Sequence, residues 1–390
     1  NEIINGKYHL HFIVDMIQGG AGTSTNMNAN EVIANRALEI LGYSRGDYQH
    51  CHPNNHVNLS QSTNDAYPTA VKIAIINSNQ SMLKTLESLK DSFQKKAEEF
   101  SEVIKMGRTQ LQDAVPMTLG QEFEAYAVTL EEEVERLNQN ADLFLEINMG
   151  ATAIGTGINA DPEYSDKVIS HLKKICGLNV KKAKNLVEAT QDTGAFVMYS
   201  SALKRLSIKL SKISNDLRLL SSGPRTGFNE INLPPMQPGS SIMPGKVNPV
   251  IPEVVNQIAY KVIGNDHTVS MAAEAGQLEL NVMEPVIVQS ILESIEMLNN
   301  GMKTLMYRCI DGITANEERC RQMVMNSIGL VTALNPLLGY EKSSQVAKEA
   351  LETGKSVYDL VIEKKLMSKE KLDELLKPEN MIRPTKMSGK

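Results

Sequence analysis

Apolar side chains recur at helical spacing over one unusually long stretch of this chain. The stretch runs from Asp65 to about Val103, and its regularly spaced apolar residues are Met82, Leu86, Leu89, Phe93, Ala97 and Phe100. A single helix of that length would be roughly 55 Å long at about 1.5 Å per residue. An amphipathic helix so long must bury its apolar face against similar helices, so the pattern predicts a helical bundle. Asp65 is the expected N-cap.

Further amphipathic patterns follow the same period, while strand patterns are almost absent. They predict long helices over about residues 118–148, 188–220, 249–275 and 285–313, and shorter helices after residue 316. We therefore expect an all-α fold, an elongated bundle of long helices with small flanking N- and C-terminal domains. The expected division is a partial N-terminal domain over 1–64, a central bundle over 65–315 and a C-terminal helical domain over 316–390.

Composition excludes several classes of protein. The 390 residues are 42% hydrophobic and 22% charged, as in ordinary soluble domains, and the net charge is −6. Without a Lys/Arg-rich block we expect no nucleic-acid partner, and without an apolar run of about 20 residues we expect no membrane partner. Four cysteines without paired spacing argue against disulfides and zinc, and favour a reducing cytoplasm. Because the chain opens on Asn1, we expect it to lack its natural start.

The segment from Ser221 to Asn248 has neither helical nor strand periodicity. It ends in Gly239–Pro249, which contains two hydroxyls, a lysine and an amide between glycines and prolines. An irregular connection of this length in a compact domain is typical of a functional loop. The glycine spacing differs from that of a phosphate-binding loop and no strand pattern precedes it, so a nucleotide site is not predicted.

Four polar segments lie just before predicted helix starts: residues 23–26, 62–64, 109–110 and 240–248. Helix N-termini offer free N–H groups and partial positive charge, which suit carboxylates or phosphates. The alternative is that these residues are only helix caps. Successive antiparallel helices start at opposite ends of a bundle, so one site using all four segments would need neighbouring subunits. That interpretation predicts a homo-oligomer.

The seven histidines all lie outside the four segments, so a Ser–His–acid hydrolase is not predicted. If Ser240 or Ser241 acts chemically, Lys246, the following helix and loop N–H groups must stabilise its base form. The alternative is a flexible polar loop tip with a solvated lysine. Although His50–His56 is rich in histidine, it lacks regular ligand spacing, so no metal site is predicted.

Four segments of the chain resemble, in order, the active-site segments of the aspartase/fumarase superfamily: residues 19–28, 60–65, 107–113 and 239–249. Gln110 stands where fumarases have His, and Gly20-Ala21-Gly22 stands where they have Gly-Ser-Gly, so the resemblance is to the ammonia-lyase branch. It implies reversible elimination of ammonia from L-aspartate to give fumarate. It also implies no required cofactor, whereas activation by a divalent cation is not readable from the sequence.

The resemblance also implies roles for individual residues. Ser240 would be the general base that removes a proton from the β-carbon, and Ser241 would close over the second carboxylate. Lys246 and Asn248 would hold one carboxylate. The remaining substrate ligands would be Thr23, Ser62 and Thr63 around the second carboxylate, and Asn64, Thr109 and Gln110 around the amino group. Glu253 would be the acidic partner of the Gln110 position.

At the level of the whole protein, the resemblance implies a homotetramer with sites shared between subunits and a small dicarboxylate as substrate. It further implies a segment before Gly19 that is longer than the one here. Two alternatives remain at this point: a fumarase or another lyase of the superfamily, and a non-catalytic, crystallin-like structural homologue.

Overall fold

A computed structural model describes residues 1–239, 243 and 245–382, and these residues are predominantly helical. The helices confirm the predicted all-α class. In chain order they are α1 (Thr23–Leu41), α2 (Thr63–Glu99), α3 (Leu119–Ala141), α4 (Tyr164–Cys176), α5 (Leu186–Gln191), α6 (Gly194–Leu220), α7 (Val250–Glu274), α8 (Glu284–Arg308), α9 (Glu317–Asn326), α10 (Leu330–Leu338), α11 (Tyr340–Thr353), α12 (Val357–Glu363), α13 (Lys369–Leu375) and α14 (Pro378–Met381).

Short helical turns of 3₁₀ or π type also occur, at His9–His11, Pro53–Val57, Asp142–Leu145 and Ile310–Gly312. The described residues also contain three two-stranded sheets, although the sequence has almost no strand pattern. β1 (Ile104–Thr109) pairs with β2 (Gln112–Thr118) in an antiparallel hairpin. The other strands are two residues long: β3 (Glu146–Ile147) pairs with β4 (Lys181–Lys182), and β5 (Ile231–Asn232) pairs with β6 (Thr314–Ala315).

Several predicted helix boundaries are wrong. The helix predicted over 118–148 ends at Ala141, before the turn Asp142–Leu145 and strand β3, and the one predicted to about 313 ends at Arg308. Helix α1 begins at Thr23 rather than near Asn30, because Gly22 adopts a left-handed φ of 90° that turns the chain directly into the helix. Helix α2 begins at Thr63, so Asp65 lies inside its first turn and is not the N-cap. The pattern over 188–220 is two helices, since Asp192 accepts a 3.0 Å hydrogen bond from the Gly194 amide and α6 starts afresh there.

The chain divides into two compact units. The first contains Asn1–Leu86, Glu132–Lys209 and Gln257–Asn300, and the second contains Glu87–Glu131, Leu210–Asn256 and Gly301–Lys390. Helices α2, α3, α6, α7 and α8 each contribute residues to both units. The three-part division along the sequence stays a prediction.

Each unit has its own buried aromatic cluster. In the first unit Phe144 packs against Phe196 and Tyr199, with ring centroids 5.1 and 5.4 Å away. In the second unit four buried rings, on α2, directly after it and on α3, make tilted and edge-to-face contacts: Phe93, Phe100, Phe123 and Tyr126. The offset geometry of such pairs adds to the free energy of burial and fixes how the helices pack. Among the described helices, none has both the length and the apolar character needed to cross a membrane.

Candidate active site

Two of the predicted polar segments meet in the first unit. Asn26, in the first turn of α1, donates a 3.0 Å hydrogen bond from Nδ2 to Oγ1 of Thr63, the first residue of α2. Gly22 makes this approach possible, because a β-carbon at its position would lie 2.6 Å from the buried Tyr67 ring. Thr23 donates from Oγ1 to the Gly20 carbonyl at 2.7 Å. The N-termini of both helices are therefore held at one place.

Ser62 and Asp65 form a reciprocal cap at the start of α2. Ser62 Oγ accepts from the Asn64 amide at 3.2 Å, and Asp65 Oδ1 accepts from the Ser62 amide at 3.0 Å. This is a variant of the capping box: the acidic residue three positions after the cap bonds back to it, while the serine side chain bonds the amide two positions on. It explains why Asp65, predicted as the cap, lies in the helix and is fully buried.

Asp65 also binds a second stretch of chain. Its Oδ2 accepts from the amides of Gly150 and Thr152 at 3.2 and 2.9 Å. Burial raises the pKa of this carboxyl, and the backbone donors, Ser62 first among them, oppose that rise. The stretch around Gly150 lies between the helices predicted over 118–148 and 188–220, and here it supports the α2 terminus. Its glycines were the one sequence signal of a special backbone conformation.

Asn64 is held by the same stretch. Its Nδ2 donates to the Ala153 carbonyl at 2.7 Å, and its own carbonyl accepts from Asn148 Nδ2 at 2.9 Å. In a regular helix the Asn64 carbonyl would accept the amide hydrogen of Pro68, which proline lacks. The fully buried Asn148 therefore replaces a hydrogen bond that the helix itself cannot make.

In the second unit Thr109 and Gln110 occupy the tip of the β1–β2 hairpin. Thr109 ends β1, and the two loop residues Gln110 and Leu111 both have left-handed φ values, 55° and 62°. Two such residues in a two-residue loop are typical of a type I′ turn, which usually has Asn or Gly at these positions. Non-glycine residues in this conformation are strained, and strain of this kind concentrates at functional sites. Both Thr109 and Gln110 are exposed.

A buried cluster of charges joins this hairpin to the segment that leads into the 239–249 loop. Glu230, which has no exposed surface, lies 2.6 Å from Arg108 Nη1 and 3.0 Å from Lys105 Nζ. Lys105 also contacts Glu122 at 2.5 Å. Burial opposes charge on Lys105, but the two glutamates outweigh it and raise its pKa above the ordinary value. Arg108 lies in the 107–113 motif, but no role was predicted for it, and no local pattern marks Glu230, Lys105 or Glu122.

Part of the 239–249 loop lines a cavity of about 580 Å³ in the second unit. Lys246 and Arg225 both line it, and among its described lining residues there is no Asp or Glu. Such a cavity suits an anion. A β-carbon at Gly239 would overlap the carbonyl oxygen of Lys246, so only glycine allows the two ends of the loop to come this close. Ser240 and Ser241 lie outside the described residues.

The last two predicted residues follow the loop directly. The Asn248 carbonyl accepts from the Val250 amide at 2.9 Å, where α7 begins. Glu253 lies in the first turn of that helix and is half-buried. Thus Thr23, Ser62, Thr63 and Asn64 belong to the first unit, whereas Thr109, Gln110, Lys246, Asn248 and Glu253 belong to the second. In the part of the chain that the structure describes, no three His, Cys, Asp or Glu side chains are grouped to hold a metal ion.

Most of the chain matches known protein families. A family described as Lyase matches residues 1–264, and one described as Fumarase C C-terminus matches residues 330–383. Among curated proteins, the chain is 60% identical to an aspartate ammonia-lyase of Helicobacter pylori, over 98% of the chain and 82% of that protein. It is 61% identical to that of Pseudomonas aeruginosa, over 98% and 81%, and 56% identical to that of Escherichia coli, over 97% and 80%.

Solved structures agree with these relationships. A fumarate lyase:delta crystallin from Brucella melitensis bound to cobalt superposes with a TM-score of 0.96 at 57% identity, covering 98% of this chain and 83% of that one. A class II fumarase from Schistosoma mansoni gives a TM-score of 0.91 at 36% identity, covering 97% and 83%. The helical fold is therefore shared with these solved structures.

Proposed function

We propose a residue-level mechanism for this chain on the premise that it belongs to the aspartase/fumarase superfamily and, within it, to the aspartate ammonia-lyases. It is a carbon–nitrogen lyase that reversibly eliminates ammonia from L-aspartate to give fumarate. Catalysis in this family does not depend on an organic cofactor. The substrate is a small dicarboxylate.

The observation that carries the mechanism is the cationic cavity beside the loop. Removing a proton from the β-carbon places a second negative charge on the neighbouring carboxylate, and that charge needs donors and cations already in position. Lys246 supplies a cation at the cavity wall, and no carboxylate competes with it among the described lining residues. Lys246 and Asn248 bind this carboxylate. Ser240 removes the proton, and Ser241 closes over the bound substrate.

The paired N-termini of α1 and α2 support binding of the other carboxylate. Thr23, Ser62 and Thr63 lie at these termini, where hydroxyls, free N–H groups and the helix dipoles favour an anion. Asn64, Thr109 and Gln110 surround the departing amino group, and Glu253 is the acidic partner of Gln110. Holding both carboxylates aligns the β-proton with the base, which removes much of the entropic cost of the reaction.

The proposal includes the assembly. We infer a homotetramer in which neighbouring subunits complete each site, since helix N-termini alternate along a bundle. Nucleic acid and membranes are not partners in this proposal, the protein works in the cytoplasm, and a divalent cation is at most an activator. The three sequence domains, 1–64, 65–315 and 316–390, form part of the same proposal.

A direct assay tests the function. The protein is incubated with L-aspartate or with L-malate, and fumarate absorbance is followed. Aspartate should give fumarate with an equal amount of ammonia. Turnover of malate alone would instead identify a fumarase, and absence of turnover on either substrate would favour the crystallin-like, non-catalytic alternative.

The base is tested by Ser240→Ala, with Ser101→Ala, an exposed serine after α2, as the matched control. General-base catalysis contributes about 10²- to 10⁴-fold, so kcat should fall by that amount in the first variant and remain unchanged in the second. Undiminished ammonia release by Ser240→Ala would refute the assignment of the base.

A further inference from the structure

In the second unit, the buried Glu230 joins two parts of the proposed site through ion pairs. One is the hairpin with Thr109 and Gln110, and the other is the segment that leads into the 239–249 loop. The mechanism above does not use Glu230. A buried carboxylate is costly unless it is paired and hydrogen-bonded, so its presence calls for a physical explanation.

The backbone around Glu230 is fixed from two sides. Its amide donates to the Leu220 carbonyl at the end of α6 at 2.9 Å, and its carbonyl accepts from the Asn316 amide at 2.8 Å. Arg319 donates to the carbonyls of Phe228 and Gly227 at 3.2 and 3.3 Å. The start of the long irregular segment is therefore a rigid anchor.

The side chain of Glu230 extends this anchor to the hairpin. Oε1 accepts from Arg108 Nη1 at 2.6 Å, and Oε2 forms an ion pair with Lys105 Nζ at 3.0 Å. The Arg108 guanidinium also stacks 4.2 Å from the centroid of the Phe228 ring. Arg108 is the residue immediately before Thr109. Contacts that fix the Arg108 side chain therefore also restrain the backbone of Thr109 and Gln110.

An irregularity in the hairpin directs Arg108 toward Glu230. The β1–β2 register shifts between Met106 and Arg108, as in a β-bulge, which re-aims the side chains that follow it. Gly107 lies at the shift, and a β-carbon there would be 2.9 Å from the Val115 carbonyl oxygen. Beyond the bulge, the strained turn places Gln110 at the tip. External support must hold such a turn in one conformation.

We propose that Glu230 is a positioning residue of the active site, which through Arg108 and Lys105 holds Thr109 and Gln110 at a fixed place relative to the base of the 239–249 loop. The inference rests on the proposed function, since it gives Gln110 a substrate to contact. Glu230 itself touches no substrate. Because misplacement of a catalytic group by about 1 Å can cost 10²-fold, loss of this support should reduce the rate without removing any contacting group.

A double-mutant cycle on kcat/KM for L-aspartate tests this role. Glu230→Gln keeps the size of the side chain and removes its charge, and we expect it to lower kcat/KM by about 10- to 100-fold. In a Gln110→Ala background the same substitution should lower kcat/KM by a clearly smaller factor than in wild type, because one of the two groups that Glu230 positions is already absent. Equal losses in both backgrounds would overturn the inference.

The control is Glu133→Gln in the first unit. Glu133 has no exposed surface and pairs with two cations, Arg205 at 3.1 Å and Lys209 at 2.5 Å, so it matches Glu230 in burial and charge. We expect it to lower the melting temperature without a change in kcat/KM. If Glu133→Gln and Glu230→Gln reduced kcat/KM equally, the effect would be general destabilisation and the inference would be wrong.

Two further results keep the test decisive. If Glu230→Gln does not fold, Arg108→Lys takes its place in the cycle. This variant keeps the positive charge but loses the planar guanidinium, so its loss of kcat/KM should also be smaller in the Gln110→Ala background than in wild type. A wild-type protein that turns over aspartate while the cycle is additive would overturn only the positioning role. A wild-type protein inactive on aspartate would overturn the proposed function and this inference together.

Discussion

At the residue scale, the environment of a side chain decides its chemistry. Asn148 illustrates this, since its amide supplies the hydrogen bond that Pro68 cannot donate to the Asn64 carbonyl. Asp65 is a second example. Burial raises the pKa of its carboxyl, and hydrogen bonds from four backbone amides, those of Ser62, Ala66, Gly150 and Thr152, lower it. A proposed substrate ligand, Asn64, thus depends on buried residues that touch no substrate.

Glu284 allows a prediction about pH. Burial raises its pKa from 4.5 to about 8, and the positive charge of Lys72 opposes the rise. Between these pH values the folded protein keeps a proton that the unfolded chain has lost, so the free energy of unfolding falls as pH rises. Glu284→Gln should remove this dependence and raise the free energy of unfolding at pH 8 by roughly 1–3 kcal/mol relative to wild type.

Thermal unfolding at pH 5 and at pH 8 measures the effect of Glu284→Gln. Glu279→Gln is a suitable control, because Glu279 is exposed and only a few residues away. The control should unfold like wild type at both pH values. Parallel pH profiles for wild type and Glu284→Gln would show that Glu284 is ionised in the folded protein.

At the scale of elements, the irregular segment between α6 and α7 is shaped by the few places where its backbone is held. Its start is fixed at Glu230, and its strand β5 pairs with β6. Its end is fixed where Gly239 lies against the Lys246 carbonyl. The position of Lys246 at the cavity therefore depends on a glycine seven residues earlier, and not only on the lysine itself.

Gly239→Ala should separate activity from stability. The added methyl group would push the Lys246 backbone away, so we expect kcat/KM for L-aspartate to fall about 10- to 100-fold. The melting temperature should change little, because the loop contributes little to the core. Gly264→Ala, in the middle of α7 with open space around it, should keep full activity and gain about 0.5–1 kcal/mol in stability. Equal activities of the two variants would contradict this account of the loop.

At the scale of the whole molecule, the proposed site residues are divided between two compact units of the chain. The inferred tetramer allows residues from different subunits to complete one site. If two residues of one site come from different subunits, a variant inactive at the first residue and a variant inactive at the second should together form some active sites in mixed tetramers.

Ser240→Ala and Thr63→Ala provide such a pair. Unfolded together and refolded as a mixture, they should recover about a quarter of wild-type activity, since a quarter of randomly assembled sites contain neither lesion. Refolding each variant alone is the control and should recover almost none. A mixture as inactive as either variant alone would place both residues in the same subunit, and sedimentation as a monomer would exclude a shared site.

Features that depend on neighbouring residues in the chain were predictable from the sequence. Apolar spacing determined the existence of the long helices and the all-α class, since a periodic pattern acts over one or two turns. Ser62 and Thr63 were recognisable as helix-terminal residues, and the four motifs carried the family. The predicted helix starts were less accurate. The left-handed Gly22 lets α1 begin at Thr23 instead of near Asn30, and the cap at Ser62 lets α2 begin at Thr63 instead of at Asp65.

Only the tertiary structure decided which distant residues share an environment. Arg108 and Glu230 are 122 residues apart, and Asn64 and Asn148 are 84 apart, so no local pattern marks either pair. The β1–β2 hairpin was missed for a related reason, as the left-handed turn at Gln110 and Leu111 lacks the usual glycine. Folding free energy from the surroundings stabilises such features. The sequence by itself therefore determined the helices and the chemical groups of this lyase, whereas packing determined their partners and positions.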